Sequence, residues 1–154
     1  MKNKIIYLIG AIVLIIDQIT KMFIDKSKTI IDDFFYISPV NNYGAAWSIL
    51  NNKTIFLISV SIIILIVLFR YQVFFKMNTR NKIAFGLVYG GLLGNLLDRV
   101  VYGYVRDFLD FNILGYEYPI FNLADACLVI GIILLVIAIF KGEDEFGKNH
   151  SKRK

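Results

Sequence analysis

The chain has 154 residues, one domain's length, of which 57% are hydrophobic and only 19% charged. That balance, with a mean hydropathy of +0.63, excludes a disordered chain and an ordinary water-soluble globule alike. The net charge of +5 sits at the chain ends and in one short loop, with no basic stripe interleaved with aromatics, which argues against nucleic acid as a partner.

The apolar residues collect in four runs, each near the ~20 residues that a helix needs to cross a bilayer. The first span, about 5–24, carries Asp17 and Lys21. Its start imitates a secretory signal peptide, but no small-residue cleavage site follows, so it reads as a retained anchor. The connection from Asp25 to Lys53 is long, and Phe34, Phe35, Tyr36 and Ile37 before Pro39 predict a strand-like or interfacial piece on the membrane surface. The second span, 54–75, is uncharged until Arg70. The third, 83–103, is uncharged until Asp98 and Arg99. Along it Gly86, Gly90 and Gly94 form a small-residue ridge that admits a neighbouring backbone, with Gly91, Asn95 and Arg99 as a second row beside it. The next loop mixes Tyr102, Tyr104, Phe108, Phe111 and Tyr116 with Asp107 and Asp110, which suits the lipid headgroup zone. The fourth span, 118–140, contains Asp125 with no Lys or Arg within eight residues, and 142–154 reads as a solvated cytoplasmic tail.

Backbone groups find no water in lipid, so the spans must be helices. Of the 17 Lys and Arg, eleven fall on the side of the two termini and the middle loop and six on the other, which places both termini in the cytoplasm. The fold expected is an all-α integral membrane protein of four transmembrane helices in a single domain, with a small strand-like or interfacial segment in the first extracytoplasmic loop.

Depth singles out the polar groups. At about 1.5 Å per residue, Asp17 stands about 18 Å beyond Ile5, Asp98 about 22 Å beyond Ile83, and Asp125 about 22 Å back from Phe140. All three fall in the outer third of a layer ~30 Å thick, where a carboxylate is costly and marks function. The plainest alternatives pair Asp17 with Lys21 and Asp98 with Arg99, and make Asp125 a helix-start charge. His150 lies in the tail on the far side, Cys127 is alone, and nothing in the spacing of Lys21 and Ser48 requires them to meet. Histidine-assisted nucleophiles and transition-metal sites are thereby excluded, and carboxylates remain. Two carboxyl groups sharing one proton form the hydrolytic dyad of aspartic proteases. From spacing, the partner of Asp125 is Asp107, Asp110, Asp98 or Asp17. The rival reading is a small proton- or ion-conducting protein with a carboxylate relay, which the apolar inner half of every span disfavours.

Five motifs occur in order: Asp17-Gln18-Ile19-Thr20-Lys21, Asn42-Tyr43-Gly44-Ala45-Ala46-Trp47, Gly94-Asn95-Leu96-Leu97-Asp98-Arg99, Val105-Arg106-Asp107-Phe108-Leu109-Asp110 and Phe121-Asn122-Leu123-Ala124-Asp125. Together, from Asp17 to Gly131, the chain resembles the bacterial lipoprotein signal peptidase family, signal peptidase II. The resemblance implies an aspartic endopeptidase of the bacterial plasma membrane, active near the extracytoplasmic face and needing no cofactor or metal. It would cut signal peptides from prolipoproteins just before a diacylglyceryl-modified cysteine. It assigns the catalytic pair to Asp107 and Asp125, substrate-binding roles to Asn42, Gly44, Asn95, Arg99 and Asn122, and supporting roles to Asp17, Lys21 and Asp98. The implied partners are lipid-modified prolipoproteins, membrane lipids and globomycin-type cyclic peptide inhibitors. Leu92, Ala126 and Arg106 depart from residues common in relatives, which frequently carry valine in place of Arg106. That arginine is expected to lower the pKa of Asp107 or to reach lipid headgroups. Gly44 to Trp47 are expected to form a lid.

Overall fold

A computed structural model describes residues 4–44 and 49–144. Four helices are long and apolar enough to cross a membrane: α1 (Lys4–Phe23), α2 (Thr54–Tyr71, extended by a 3-10 turn over Gln72–Phe74), α3 (Thr79–Tyr102) and α4 (Leu123–Phe140). The chain is not all-α, because β1 (Lys28–Ile31), β2 (Phe35–Asn42), β3 (Val105–Ile113) and β4 (Tyr116–Glu117) form one antiparallel sheet in the order β1-β2-β3-β4. The aromatic residues expected to lie in the headgroup zone after the third span are thus largely those of a strand. Phe35 stacks on Phe111 at 4.5 Å between ring centres, and Phe111 in turn on Phe121 at 5.8 Å.

Helix ends differ from hydropathy for local reasons. The third helix starts four residues earlier than the apolar run, because the Asn78 side chain accepts the Asn81 N–H and caps a polar first turn. The fourth starts five residues later: Phe108 N–H and Leu109 N–H both reach the Phe121 carbonyl, holding the segment before α4 extended against β3. Asn122 then caps α4, its side chain accepting the Asp125 N–H while the Asp125 carboxylate accepts the Asn122 N–H. The tail is not wholly solvated either, since Glu143 accepts hydrogen bonds from Asn78, Arg80 and Asn81, and Lys76 N–H donates to its carbonyl. Residues 145–154, His150 among them, lie outside the described residues.

The bundle is centred on α3. A β-carbon on Gly86 would stand 2.7 Å from the Ile9 side chain, and one on Gly90 2.5 Å from Val13 and 2.8 Å from the Gly10 carbonyl, so this ridge is the seat of α1. The second row serves α4: a β-carbon on Gly91 would meet the Ala124 carbonyl at 2.5 Å, and one on Gly131 would meet Val88 at 2.6 Å. By contrast α2 buries only Leu57. Gly103, at φ +82°, turns the chain from α3 into β3 and takes its carbonyl to Thr54 at the start of α2.

Replacing Gly90 with Val should overpack the α1–α3 contact and cost about 1–3 kcal/mol. A lowered thermal midpoint in detergent is expected, and an unaltered one would contradict this close packing.

Candidate active site

The site begins with a register shift. Phe35, Tyr36 and Ile37 pair with Phe111, Asp110 and Leu109, but Val40, Asn41 and Asn42 pair with Asp107, Arg106 and Val105, so β2 holds one extra residue at Ser38-Pro39. Proline is tolerated at such a bulge because it need not donate to the ladder. Strand faces alternate, so the extra residue puts Asn42 rather than Asn41 on the face of Val105 and Asp107. The Asn42 Nδ2 accordingly donates to Asp107 Oδ2 at 2.9 Å.

Asn122 ties the sheet to the helices. Its Nδ2 donates to Asp107 Oδ1 at 2.6 Å and to Asn95 Oδ1 at 3.0 Å, while its main chain and its carbonyl oxygen are bonded to Asp125. Asn95 Nδ2 completes the set by donating to Asp125 Oδ1 at 2.7 Å. The carboxylates of Asp107 and Asp125, one from β3 and one from the first turn of α4, thus share Asn122 as a common neighbour. Both line a cavity of about 820 Å³. Leu92, Phe111, Ile120, Leu128, Val129 and Ile130 make its walls mostly apolar. Asp107 is 3% exposed. Burial, and then the negative charge of Asp125, push its carboxyl up to about 7, against the pull of its bonds to Asn42 and Asn122.

The other carboxylates are engaged elsewhere. Lys21, buried with 4% exposure, forms ion pairs with Asp17 Oδ2 (2.8 Å) and Asp98 Oδ2 (3.3 Å) and donates a hydrogen bond to Asn95 Oδ1 (3.1 Å). Asp17 Oδ1 accepts the Ala124 N–H at 3.0 Å, at the start of α4. Asp98 does not pair with Arg99, which projects from the next position about a quarter-turn round the helix. It takes Arg106 instead, at 2.7 Å. Arg99 reaches the Gly44 carbonyl at 2.8 Å, and Gly44 N–H donates to Asn42 Oδ1, so Gly44 belongs to the frame of the site. Asp110 accepts from Ser38 Oγ. The Arg106 guanidinium turns to Asp98 and Gln18 and makes no direct bond to Asp107 among the described residues. Cys127 is buried and free. Of the expected lid only Gly44 is described, and residues 45–48, including Ser48, lie outside the described residues.

Gln18 was not singled out among the sequence candidates, although it lies inside the first motif. Its amide bonds Asp17, Asp98 and the Gly94 carbonyl, and it accepts from Arg106. An amide in a hydrocarbon span was the available signal.

Residues 9–141 match the family model described as Signal peptidase (SPase) II. The chain belongs to the signal peptidase II family. It is 43% identical to the lipoprotein signal peptidase of Staphylococcus haemolyticus over 152 residues, covering 92% of this chain and 96% of that one. It is 45% identical to that of Staphylococcus aureus strain MRSA252 over 143 residues, with 87% and 86% covered. Two solved structures described as bacterial membrane enzymes, determined by the in meso method at 2.3 and 1.9 Å resolution, superpose with TM-scores of 0.80 and 0.77. Each is 43% identical, and the matches cover 87% of this chain with 86% and 91% of theirs. The protein is therefore a multi-pass membrane peptidase.

Two outcomes follow from the geometry. A carboxyl at about 7 when folded and 3.8 in its ordinary state binds its proton more tightly in the folded chain, so it favours folding at low pH and loses that contribution as pH rises. The thermal-midpoint advantage of Asp107→Asn over the parent should widen from pH 4 to about 7 and then level, as measured by unfolding in detergent. Lys21→Met leaves Asp17 and Asp98 short of a buried cation and should cost about 3–5 kcal/mol in the same assay.

Proposed function

We propose that this protein removes the signal peptide from diacylglyceryl-modified prolipoproteins, with Asp107 and Asp125 activating the water that attacks the bond before the lipidated cysteine. One observation carries the reading: two carboxylates on separate elements meet through Asn122 at a mostly apolar cavity, which no other carboxylate lines among the described residues. The pair shares one proton, and its titration belongs to both carboxyl groups. The ionised member takes a proton from water as its oxygen attacks the scissile carbonyl. The protonated member gives its proton to the carbonyl oxygen, and collapse of the tetrahedral adduct returns a proton to the departing amine. Asn42, Asn95 and Asn122 hold the two carboxylates at fixed angles.

The apolar walls suit acyl chains and a hydrophobic signal peptide, which reach the site by diffusing in the bilayer. The asymmetry of Lys and Arg supports cytoplasmic termini and a site at the outer face of the plasma membrane. The same cavity would take globomycin-type cyclic peptides in competition with substrate. A conducting role has less support, because a relay needs acidic groups along the whole path.

The test is incubation of the purified protein in detergent with a precursor carrying the diacylglyceryl group and with the same precursor lacking it. Cleavage of the first alone is expected, and Asp107→Asn or Asp125→Asn should each lose at least about 10³-fold in rate with helix content unchanged. Appreciable turnover by either variant would eliminate the dyad.

A further inference from the structure

We infer that Arg106 is a positioning residue for this reaction, holding Asp107 and Asp125 in their mutual geometry and charge through the buried carboxylate of Asp98; the inference rests on the function proposed above. Arg106 precedes Asp107 in β3, and Asp98 grips it twice. Asp98 Oδ2 accepts the Arg106 main-chain N–H at 3.0 Å, and Asp98 Oδ1 accepts Nη2 at 2.7 Å. The same Nη2 donates to Gln18 Oε1 at 2.8 Å, and the guanidinium lies 4.5 Å above the Tyr102 ring. The main chain entering Asp107 is therefore pinned to α3 and α1 from the side opposite Asn42 and Asn122.

A second path runs to the other carboxylate. Asp98 forms an ion pair with Lys21, Lys21 donates to Asn95, and Asn95 donates to Asp125. Arg106 thus closes a ring whose two arms end on Asp107, by the covalent chain, and on Asp125, by an ion pair and two hydrogen bonds. Charge tells the same story. Asp17 and Asp98 are two buried anions, and Lys21 offsets only one. Arg106 offsets the second, leaving the cluster neutral beside a dyad that must carry one negative charge. Burial alone would lower the Arg106 pKa, but the Asp98 hydrogen bond and charge hold it above the ordinary arginine range, so the balance persists at every working pH. The charged groups facing this position are Asp17 and Lys21 from α1, Asp98 from α3, Asp107 on its own strand, and Asp25 across the small cavity that Lys21 and Arg106 line with Tyr104. Arg99 and Asp125 lie beyond Asn95.

Arg106→Gln and Arg106→Lys, each checked for monodispersity in detergent, would be assayed on the lipid-modified precursor across pH. The Gln variant should lose about 10–100-fold in kcat with KM within about twofold of the parent, the size of a slightly misplaced reacting group. Its pH profile should move to higher pH by roughly half a unit or more, because losing a nearby cation disfavours ionised carboxylates. The Lys variant should keep the parental profile while recovering only part of kcat, since an ammonium cannot reproduce the two-nitrogen contact of Nε and Nη2 with Asp98. Parental kcat and profile in the Gln variant would overturn the inference, as would a loss of kcat with an unmoved profile that Lys does not relieve. If the Gln variant fails to fold, the Lys profile decides: unmoved with reduced kcat supports the inference, and displaced refutes it. A parent that cleaves nothing would instead refute the proposed function.

Discussion

The ammonium of Lys21 is the constraint around which the polar half of the molecule is arranged. A buried lysine is tolerated only when its charge is matched and its N–H groups are bonded, and here Asp17 and Asp98 supply the opposite charge while Asn95 accepts a hydrogen bond. Each of the three then serves a second purpose. Asp17 receives the Ala124 N–H and seats the start of α4, Asp98 receives Arg106 and seats β3, and Asn95 passes its amide to Asp125. One cation in α1 thereby sets where the strand and the last helix stand relative to one another. It makes no bond of its own to Asp107 or Asp125 among the described residues.

The glycines of α3 make that arrangement possible. Asp17 lies where a β-carbon on Gly94 would sit, only 2.6 Å from its Oδ2, so the polar cluster and the close helix packing are two aspects of one approach. The bulge at Ser38-Pro39 plays the matching part in the sheet by moving Asn42 onto the face of Asp107. The sparsely packed α2 buries only Leu57 and contributes Ser61 to the cavity lining.

Much of this was legible before any coordinates. Four apolar runs, the glycine ridge and the depth of Asp17, Asp98 and Asp125 are direct consequences of lipid as a solvent. The sheet was not, because β2 and β3 lie more than 60 residues apart and neither alternates cleanly enough to announce a partner. The start of α4 was misjudged for a related reason: Tyr118 to Phe121 are as apolar as a helix, yet their hydrogen bonds go to β3. Spacing left Asp125 with four possible partners. Asn122 brings Asp107 beside Asp125, and its reach to Asp107 exists only once the bulge, the bridge to β3 and the capping box are all in place. The bonds of Arg106 were not legible either: adjacent residues of a strand point apart, so its side chain goes to Asp98 and Gln18 while that of Asp107 goes to Asn42 and Asn122.

The ion pair of Asp17 and Lys21 spans a single helical turn, and both members belong to α1, which is synthesised before α3 and α4. It can form as soon as that segment coils, before α3 or α4 exists. The nascent segment therefore partitions into the bilayer with its two charges already cancelling, which lowers the expense of placing them there before the later helices add their own contacts.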